Sequence, residues 1–374
     1  MRILYINDAW AVWGGLERVL IDKMNYLANE EGYEIFTITY DQGTNPIPFP
    51  LSPKVIYRDL NVMLYHHYRY YGLKKYYYRY KLEKLLIKRL QSEIRDIMPD
   101  VIVCPRIDLL SNILKAKGNI PLIFESHSSY KWIAMEKKGI IWFFKQCYYN
   151  RLAKKVQMVV ALTEGDALEW RKVTNHVSVI PNVVHLNRSG RYSDCKSKSV
   201  IFVGRLCLQK DIHSLLRIWS LVHQRHPDWQ LQLFGAYGEE QETVLPVISE
   251  MDANIIVHEP TKEIFKCYLE SSIFLLTSLY EPFGLVLPEA MSCGLPIVAF
   301  DCPYGPVDII TDGQDGFLIK NRDVNAFADK VCRLIESPEL RKKMGQAGIR
   351  SAQRFDASCI MPMWKDLFGH LAAS

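Results

Sequence analysis

Residues 273–301, IFLLTSLYEPFGLVLPEAMSCGLPIVAFD, contain the pattern that decides the fold. The run 273–277 is short and apolar, which is typical of a buried parallel strand. Pro282 cannot continue that strand, because proline lacks a backbone N–H. The pattern then predicts a helix over 285–293 and a second buried strand over 295–300. Strand, loop, helix and strand in this order indicate a parallel α/β sheet.

The loop between the first strand and the helix is a candidate binding site, since open α/β sheets bind ligands outside the carboxyl ends of their strands. Backbone N–H groups of residues 284–286 would point out of the helix N-terminus and offer a site for phosphate. Glu281 and Glu289 flank this point, eight residues apart. Because a carboxylate repels phosphate, the two acids are expected to accept hydrogen bonds from hydroxyls, which suits a nucleotide sugar. The alternative is a helix N-terminus that favours acids through its dipole alone.

The alternation of strands and helices runs through the chain and is interrupted once. The chain has 374 residues, more than one core usually serves, so two domains are expected. Residues 183–199 are polar and weakly periodic, as linkers are. The sequence predicts an α/β fold of two doubly wound Rossmann-like domains, over residues 1–182 and 183–358.

Composition indicates a soluble globular enzyme, with 49% hydrophobic and 23% charged residues. The N-terminal residues enter a strand directly, without the apolar core and cleavage site of a signal peptide. Nine scattered cysteines without a C-x-x-C pair are typical of reduced residues, so a cytoplasmic location is expected. The absence of G-x-G-x-x-G and P-loop motifs disfavours a dehydrogenase. No cofactor and no metal are expected, since the zinc motifs and Asp-x-Asp are also missing.

Two more loops follow predicted strands. VGRLCLQKD, residues 203–211, contributes Arg205 and Lys210, and two cations at a strand's carboxyl end suit a diphosphate. AVWGGLER contributes Gly14 and Gly15, which let backbone approach a ligand at the start of a helix. The alternatives are a solvated basic loop and a tight turn that contains glycine.

His127, in FESHSSY, ends a strand of the first domain. A lone histidine is more often a structural residue, but a place at a strand's carboxyl end favours contact with a ligand. On the predicted fold it would face the cleft between the domains.

Residues 61–90 are unusual in charge and in aromatic content. They contain eight Lys or Arg against Glu83 alone, a local charge of +7 in a chain of net charge +5. Eight tyrosines lie between Tyr65 and Tyr80. Three explanations remain open: an anionic membrane surface, single-stranded nucleic acid, or a solvated helix with its tyrosines in the core.

Taken together, these motifs resemble the retaining glycosyltransferases of family 4, which have the GT-B fold. The likeness covers nearly the whole chain and is most specific in the E-x7-E element Glu281 to Glu289, VGRL with Lys210, GGLER and DGQDGFLI. CPYGPVDIITDG resembles enzymes of bacterial capsular and exopolysaccharide assembly, of the amylovoran type. The resemblance implies two domains facing across a cleft, with residues 359–374 forming a helix that crosses back to the first domain. Lys210 is followed by Asp211, where many relatives have glycine.

The resemblance also implies roles for residues and partners. Catalysis would involve Arg205, Lys210, Glu281 and His127. The donor, a nucleotide diphosphate sugar and in expectation a UDP-sugar, would contact the following residues: Gly14, Gly15, Arg205, Lys210, Glu281, Phe283, Gly284, Leu285, Val286 and Glu289. Within this set the two cations would hold the diphosphate, Glu289 the ribose and Glu281 the transferred hexose or N-acetylhexosamine. Attack by the acceptor on the same face of the sugar that the diphosphate leaves would retain the anomeric configuration. Neither a protein nucleophile nor a metal would be needed.

The acceptor implied by the resemblance is a saccharide on a polyprenyl diphosphate, which gives the basic segment a role at a membrane. Lys74, Lys75, Arg79 and Lys81 are its candidate membrane or acceptor residues. The expected location is the inner face of the plasma membrane, in peripheral association and without a nucleic-acid partner. Two other functions stay open, namely a catalytically silent carbohydrate-binding partner and a GT-B nucleotide-sugar epimerase. An inverting transferase would need a carboxylate or histidine base in the first domain.

Overall fold

The computed structural model describes residues 1–130, 140–235 and 238–373. It divides the chain into two compact units. The first unit consists of residues 1–162, 166–180 and 361–374, and the second of residues 163–165 and 181–360. The C-terminal segment is thus part of the first unit.

The first unit is built on a seven-stranded parallel sheet with strand order β3-β2-β1-β4-β5-β6-β7. Its strands are β1 Arg2–Ile6, β2 Glu34–Thr39, β3 Ile56–Asp59, β4 Val101–Cys104, β5 Leu122–Ser126, β6 Met158–Ala161 and β7 Val177–Val179. The central strands are almost entirely buried, as expected when helices cover both faces of a parallel sheet.

The second unit repeats this plan with a six-stranded parallel sheet of order β10-β9-β8-β11-β12-β13. Its strands are β8 Ser199–Val203, β9 Gln230–Phe234, β10 Ile255–His258, β11 Ile273–Leu276, β12 Ile297–Phe300 and β13 Gly316–Ile319. In each sheet the order in which successive strands are added reverses once, between β1 and β4 in the first unit and between β8 and β11 in the second. Such switch points open a crevice at the carboxyl ends of the strands.

Thirteen α-helices are described. They are α1 Gly15–Asn29, α2 Gly72–Ile97, α3 Leu110–Ala116, α4 Ile140–Ala153, α5 Glu164–Arg171, α6 Ile212–Arg225, α7 Gln241–Glu250, α8 Ile264–Leu269, α9 Val286–Ser292, α10 Gly305–Ile309, α11 Val324–Glu336, α12 Pro338–Ala352 and α13 Ala357–Ala372. Each unit has its own apolar core between sheet and helices. No helix in these ranges is long and apolar enough to cross a membrane.

The predicted fold of two doubly wound parallel sheets is confirmed. The sequence pattern did not predict two of the helices, α5 and α10. Both are short, and α10 begins with glycine and proline, which do not indicate a helix by their periodicity.

Candidate donor site

The charged residues predicted for the second unit lie at its switch point. Arg205 and Lys210 follow β8, and Glu281 follows β11, the strand next to β8 in the sheet. Because both strands are parallel, their carboxyl ends open on the same edge. Residues 76 positions apart in the chain, Arg205 and Glu281, therefore share one edge of the sheet.

Lys210 and Glu281 form an ion pair at this edge. Lys210 Nζ donates a hydrogen bond to Glu281 Oε1, and Ser278 Oγ donates to the same oxygen at 2.7 Å. The side chain of Lys210 is 13% exposed and that of Glu281 is 6% exposed. The sequence predicts that both side chains act in one site. It does not predict that the two charges neutralise each other there, as they do in the structure.

Backbone contacts fix this pair by joining the loops after β8 and β11. Thr277 Oγ1 donates to Lys210 O at 2.8 Å. The backbone N–H of Leu279 donates to Gln209 O at 2.8 Å, and Gln209 Nε2 donates to Tyr280 O at 3.1 Å. The loop that carries Lys210 and the loop that carries Glu281 are therefore held together by hydrogen bonds beside the ion pair.

Arg322 braces the same edge from the segment after β13. Its guanidinium donates to the carbonyls of Thr277 and Ser278, each at 2.9 Å, and also to Asp211 Oδ2. Asp211 adopts a left-handed backbone with φ +47°, a conformation that favours glycine. Its carboxylate also caps α6 by accepting from Ser214 N–H at 3.2 Å. The departure from the family's glycine thus supplies a cap and a partner for Arg322.

The loop after β12 closes the third side of Glu281. The backbone N–H of Glu281 donates to Pro303 O at 2.8 Å, and Glu281 O accepts from Tyr304 and Gly305 N–H at 2.8 and 2.9 Å. A Cβ on Gly305 would lie 1.7 Å from Phe283 O, so only glycine fits there. Glu281 is consequently held by its backbone as well as its side chain.

The predicted helix N-terminus begins α9. Gly284 has φ +96°, which glycine alone adopts without strain, and Leu287 N–H donates to Gly284 O at 3.0 Å. In a helix, the first N–H groups have no carbonyl partner within the helix, so those of residues 284–286 precede the helical bonding pattern. The Phe283 side chain is buried against Phe355, with ring centroids 5.4 Å apart.

Glu289 and Arg205 contrast in their surroundings. Glu289 is 5% exposed and accepts a hydrogen bond from Tyr268 Oη on α8 at 3.4 Å. The Arg205 side chain is exposed and makes no ion pair or hydrogen bond with any residue that the structure describes. The carboxylate is thus fixed inside the helix layer, while the guanidinium is available to an anion.

In the first unit, Gly14 is the N-cap of α1 and accepts from Arg18 N–H at 3.2 Å. A Cβ on Gly14 would lie 2.7 Å from Glu17 Oε2, so a side chain there would displace this carboxyl. Burial raises the pKa of Glu17. His127 follows β5, with Nε2 3.0 Å from Glu125 Oε1. The first unit thus presents a glycine turn and a histidine at the carboxyl ends of β1 and β5.

The fold and both halves of the chain match known glycosyltransferases. Residues 13–188 match the family model described as Glycosyltransferase Family 4, and residues 187–351 match the model described as Glycosyl transferases group 1. The amylovoran biosynthesis glycosyltransferase AmsD of Erwinia amylovora is 32% identical over 69% of this chain and 72% of its own. The chain belongs to glycosyltransferase family 4.

Two further comparisons extend over the whole transferase. An uncharacterized glycosyltransferase of Haemophilus influenzae is 27% identical over 95% of this chain and 96% of its own. The crystal structure of a mutant S. aureus TarM, in complex with fondaparinux, alpha-GlcNAc-glycerol and UDP, superposes with a TM-score of 0.81. That match covers 98% of this chain and 99% of TarM at 15% identity, so it concerns the fold alone. The fold is GT-B, as expected from the motifs.

The basic segment of the transferase is only half packed. Leu86, Leu90, Ile94 and Ile97 of α2 are buried, but no residue between 72 and 85 is. The exposed tyrosines are Tyr65, Tyr68, Tyr71, Tyr76, Tyr77 and Tyr80. The alternative that places the tyrosines in the core is therefore wrong. Of the four predicted membrane residues, Lys74, Arg79 and Lys81 are exposed, and Lys75 is half-buried.

Sequence reasoning missed several residues of the transferase that support the predicted ones. Ser278 and Tyr268 donate hydrogen bonds to Glu281 and Glu289. Arg322 braces the neighbouring loops through Thr277, Ser278 and Asp211. Nothing in the local sequence pattern marks these three residues. Glu125 could have been found, since it is an acid inside the apolar strand LIFES. Among the described residues, no group of three or more His, Cys, Asp or Glu side chains could hold a metal ion.

Proposed function

We propose that this chain is a retaining transferase that moves a hexose or N-acetylhexosamine from a UDP-sugar to a lipid-linked saccharide in cell-surface polysaccharide assembly. The observation that carries the proposal is the arrangement of Arg205, Lys210 and Glu281 at the ends of two adjacent strands. One exposed guanidinium and one carboxylate-paired ammonium at a switch point suit a ligand that has both a diphosphate and hydroxyl groups.

The charges account for leaving-group departure in this proposal. As the bond from the sugar's anomeric carbon to the diphosphate breaks, negative charge grows on the diphosphate and positive charge on the ring. Arg205 and the N–H groups before α9 stabilise the first, and Lys210 shares its charge between the phosphate and Glu281. Preorganised groups of this kind usually supply the largest part of catalysis. The leaving phosphate accepts the proton of the acceptor hydroxyl, so the acceptor attacks the sugar from the same face that the diphosphate leaves.

We further propose that the reaction needs no metal, because Arg205, Lys210 and the backbone N–H groups neutralise the diphosphate. Activity should then survive exhaustive treatment with EDTA. A loss of activity that Mg²⁺ or Mn²⁺ restores would contradict this part of the proposal.

The relatives support the donor and acceptor classes. TarM was crystallised with UDP and glycosides, and AmsD is named for the biosynthesis of amylovoran. Neither name identifies the donor sugar or the acceptor of this chain. A uridine nucleotide and a saccharide acceptor are therefore the classes to test first.

The direct test incubates the full chain with a panel of UDP-sugars and a polyprenyl-linked saccharide, and determines the anomeric linkage of the product by NMR. Retention supports the proposal, and inversion contradicts it. Recovery of an epimerised UDP-sugar would favour the epimerase. Binding without turnover of any donor in the panel would favour the silent partner.

Titration calorimetry on Glu289→Ala tests the ribose assignment. Loss of a charge-assisted hydrogen bond costs about 1.5–3 kcal/mol, so affinity for the UDP-sugar should fall by a factor of about 10 to 150. Glu270→Ala, on an exposed side chain of the same unit, is the control and should bind normally. Unaltered affinity in Glu289→Ala would remove the ribose assignment.

We also propose that the N-terminal half of α2 binds an anionic membrane at the inner face of the plasma membrane. Leu73, Tyr76, Tyr77 and Tyr80 of this half are exposed, with Leu73 at 89%, and Tyr71 directly before the helix is 88% exposed. Tyrosine favours the membrane interface, and each basic residue near anionic headgroups contributes about 1 kcal/mol. The same unit would then hold the transferase at a membrane that contains the lipid-linked acceptor.

A second helix adds aromatic surface near α2. Phe143, Phe144 and Tyr148 of α4 are exposed. Burial raises the pKa of Tyr149 to about 12, and the Arg79 guanidinium opposes this, which puts α4 within electrostatic reach of α2. Apolar rings beside a basic helix are what an interfacial membrane contact requires.

A further inference from the structure

The first unit contains a buried row of three ionisable side chains that ends at His127. Glu125 in β5 and Lys23 in α1 are each 1% exposed. Lys23 Nζ donates a hydrogen bond to Glu125 Oε2 at 2.5 Å, and His127 Nε2 lies 3.0 Å from Glu125 Oε1. The second contact lacks hydrogen-bond geometry, so the carboxylate acts on the ring through its electric field. One carboxylate thus faces an ammonium with one oxygen and an imidazole with the other.

The C-terminal helix closes the far side of this row. Lys23 Nζ lies 3.7 Å from the ring centroid of Trp364 in α13 and 5.6 Å from that of Tyr5 in β1. Trp364 is 1% exposed. An ammonium over an indole ring is attracted by the ring's electron density. Lys23 is therefore held between aromatic rings and the carboxylate.

Fold stability gives little reason to keep such a pair. Removing two charges from water costs several kcal/mol for each ion, and replacing a buried ion pair with apolar residues is often neutral or stabilising. The pair does lie directly behind a histidine at the carboxyl end of β5, where open α/β sheets bind ligands. That position favours an electrostatic role of the pair, acting on the histidine, over a role in packing.

We infer that Glu125 is a positioning residue, which keeps the His127 ring proton on Nε2 and leaves Nδ1 as a hydrogen-bond acceptor, while Lys23 limits the charge that Glu125 exerts on the ring. In a neutral imidazole one nitrogen carries the proton and the other accepts. A carboxylate beside Nε2 favours the proton there, as carboxylates behind functional histidines do. His127 is then suited to accept a hydrogen bond from a hydroxyl.

The charges on the row agree with this arrangement. Burial opposes ionisation of Glu125, but the charges of Lys23 and, when its ring is protonated, His127 outweigh burial and hold the pKa of Glu125 at about 2. Burial lowers the pKa of Lys23, and Glu125 opposes that change. Within the described residues, two other titratable groups lie around the row. Tyr5 is subject to the charge of Glu125, and Asp166 on α5 accepts hydrogen bonds from Ser126 Oγ and Tyr130 N–H, close to His127 in the chain.

The experiment is an NMR titration of the full chain labelled with ¹³C and ¹⁵N in histidine, with the His127 signal assigned through His127→Asn. Lys23→Met should raise the midpoint of the ring titration by about one pH unit, because the carboxylate is no longer neutralised. Glu125→Gln should lower it by a similar amount. Tyr5→Phe and Asp166→Asn are controls for the other two groups and should leave the Nε2–H tautomer unchanged.

The double variant Lys23→Met, Glu125→Gln keeps the test valid if either single variant fails to fold, because it leaves no unpaired buried charge. It should keep the fold and lose the preference for the Nε2–H tautomer, which the ring ¹³C and ¹⁵N shifts report. A preserved tautomer in the double variant, or single variants that shift the midpoint in the same direction, would overturn the inference.

The inference that His127 accepts a hydrogen bond from a substrate hydroxyl rests on the proposed function. The inference about the tautomer of the ring does not. NMR without donor tests the ring alone, and the transfer assay tests the function alone. If the wild-type chain moves no sugar but the ring responds as expected, the proposed function fails and the positioning role stands. If transfer occurs and the ring does not respond, the positioning role fails.

Discussion

Lys210 and Glu281 belong to the candidate donor site and already form an ion pair with each other. The ammonium that was predicted to hold a phosphate donates to a buried carboxylate, and Ser278 donates to the same oxygen. An approaching diphosphate therefore competes with Glu281 for the charge of Lys210. In the proposed function, Lys210 and Glu281 neutralise each other until the donor binds.

Breaking this pair should cost more than breaking one at the surface. Lys210→Met leaves a buried carboxylate beside the phosphate site, so we expect stability to fall by about 3–5 kcal/mol. The KM for the donor should rise more than tenfold through repulsion, and urea unfolding and initial rates measure the two effects. The control is Arg225→Met, which breaks the exposed Arg225–Asp329 pair of the same unit and should leave stability nearly unchanged, because solvent screens that pair.

The double variant Lys210→Met, Glu281→Gln separates stability from catalysis. It removes both charges, so it should recover most of the lost stability and remain inactive. If the double variant kept the wild-type kcat/KM, the pair would be a structural contact and the donor role of both residues would be lost.

At this scale the sequence predicts which residues gather at the sheet edge, but not how they pair. Parallel strands that end in polar residues put Arg205, Lys210 and Glu281 on one edge in any doubly wound fold. Whether Lys210 reaches Glu281 depends on β8 lying beside β11, a nonlocal order. For Lys23 and Glu125, by contrast, a signal was present, since opposite charges inside two apolar segments require a buried partner.

At the scale of elements, α2 is a helix of two halves. The C-terminal half packs Leu86, Leu90, Ile94 and Ile97 on the core, and the N-terminal half has no buried residue. The exposed half contacts the segment before it: Tyr78 stacks on Tyr70 with ring centroids 3.8 Å apart, and Lys75 Nζ lies 4.5 Å from the Tyr68 ring centroid. The sequence predicts the helix from its apolar period, but a period does not reveal where the core ends.

Liposome sedimentation tests the membrane contact of α2. Wild-type binding should rise with the fraction of anionic lipid and fall as salt is added, because exposed charges are screened within about 10 Å at 0.1 M salt. Changing Lys74, Lys75, Arg79 and Lys81 to Ala removes four charges. Arg79 already pairs with Glu83 at 2.8 Å, so we expect a loss of about 3 kcal/mol, more than a hundredfold in affinity.

The matched control changes four exposed basic residues of the second unit to Ala: Arg333, Lys342, Lys343 and Arg350. It alters net charge equally and should leave vesicle binding within twofold of wild type. Equal losses in both variants, or binding that ignores anionic lipid content, would contradict the membrane contact. Tighter binding to a single-stranded oligonucleotide than to vesicles would favour the nucleic-acid alternative.

At the scale of the whole molecule, the two units follow from sequence because each has its own alternation of strands and helices around a polar linker. The predicted boundary at 182 and the structural one at 180 differ by two residues. The C-terminal segment is a different matter. Its helix is amphipathic and would fit any core, so only the resemblance to family 4 suggested that it returns to the first domain, and residues 361–374 do belong to that unit.

The stability of the first unit should therefore depend on the end of the chain. Trp364 in α13 is fully buried and covers Lys23, so Trp364→Ala creates a cavity and removes the ring from the ammonium. We expect a loss of about 3–5 kcal/mol. Hydrogen–deuterium exchange with mass spectrometry can assign this loss, because peptides from β1 and β5 report the first unit and peptides from β8 and β11 the second.

Faster exchange should appear in β1 and β5 and be absent from β8 and β11, since the two units have separate cores. Met363→Ala, at the neighbouring and 39% exposed position, is the control and should change stability by no more than about 0.5 kcal/mol. Equal acceleration in both units would mean that they unfold as one cooperative body. In that case the last helix would stabilise the whole chain, and a mutation at Trp364 would weaken the donor site as much as the row behind His127.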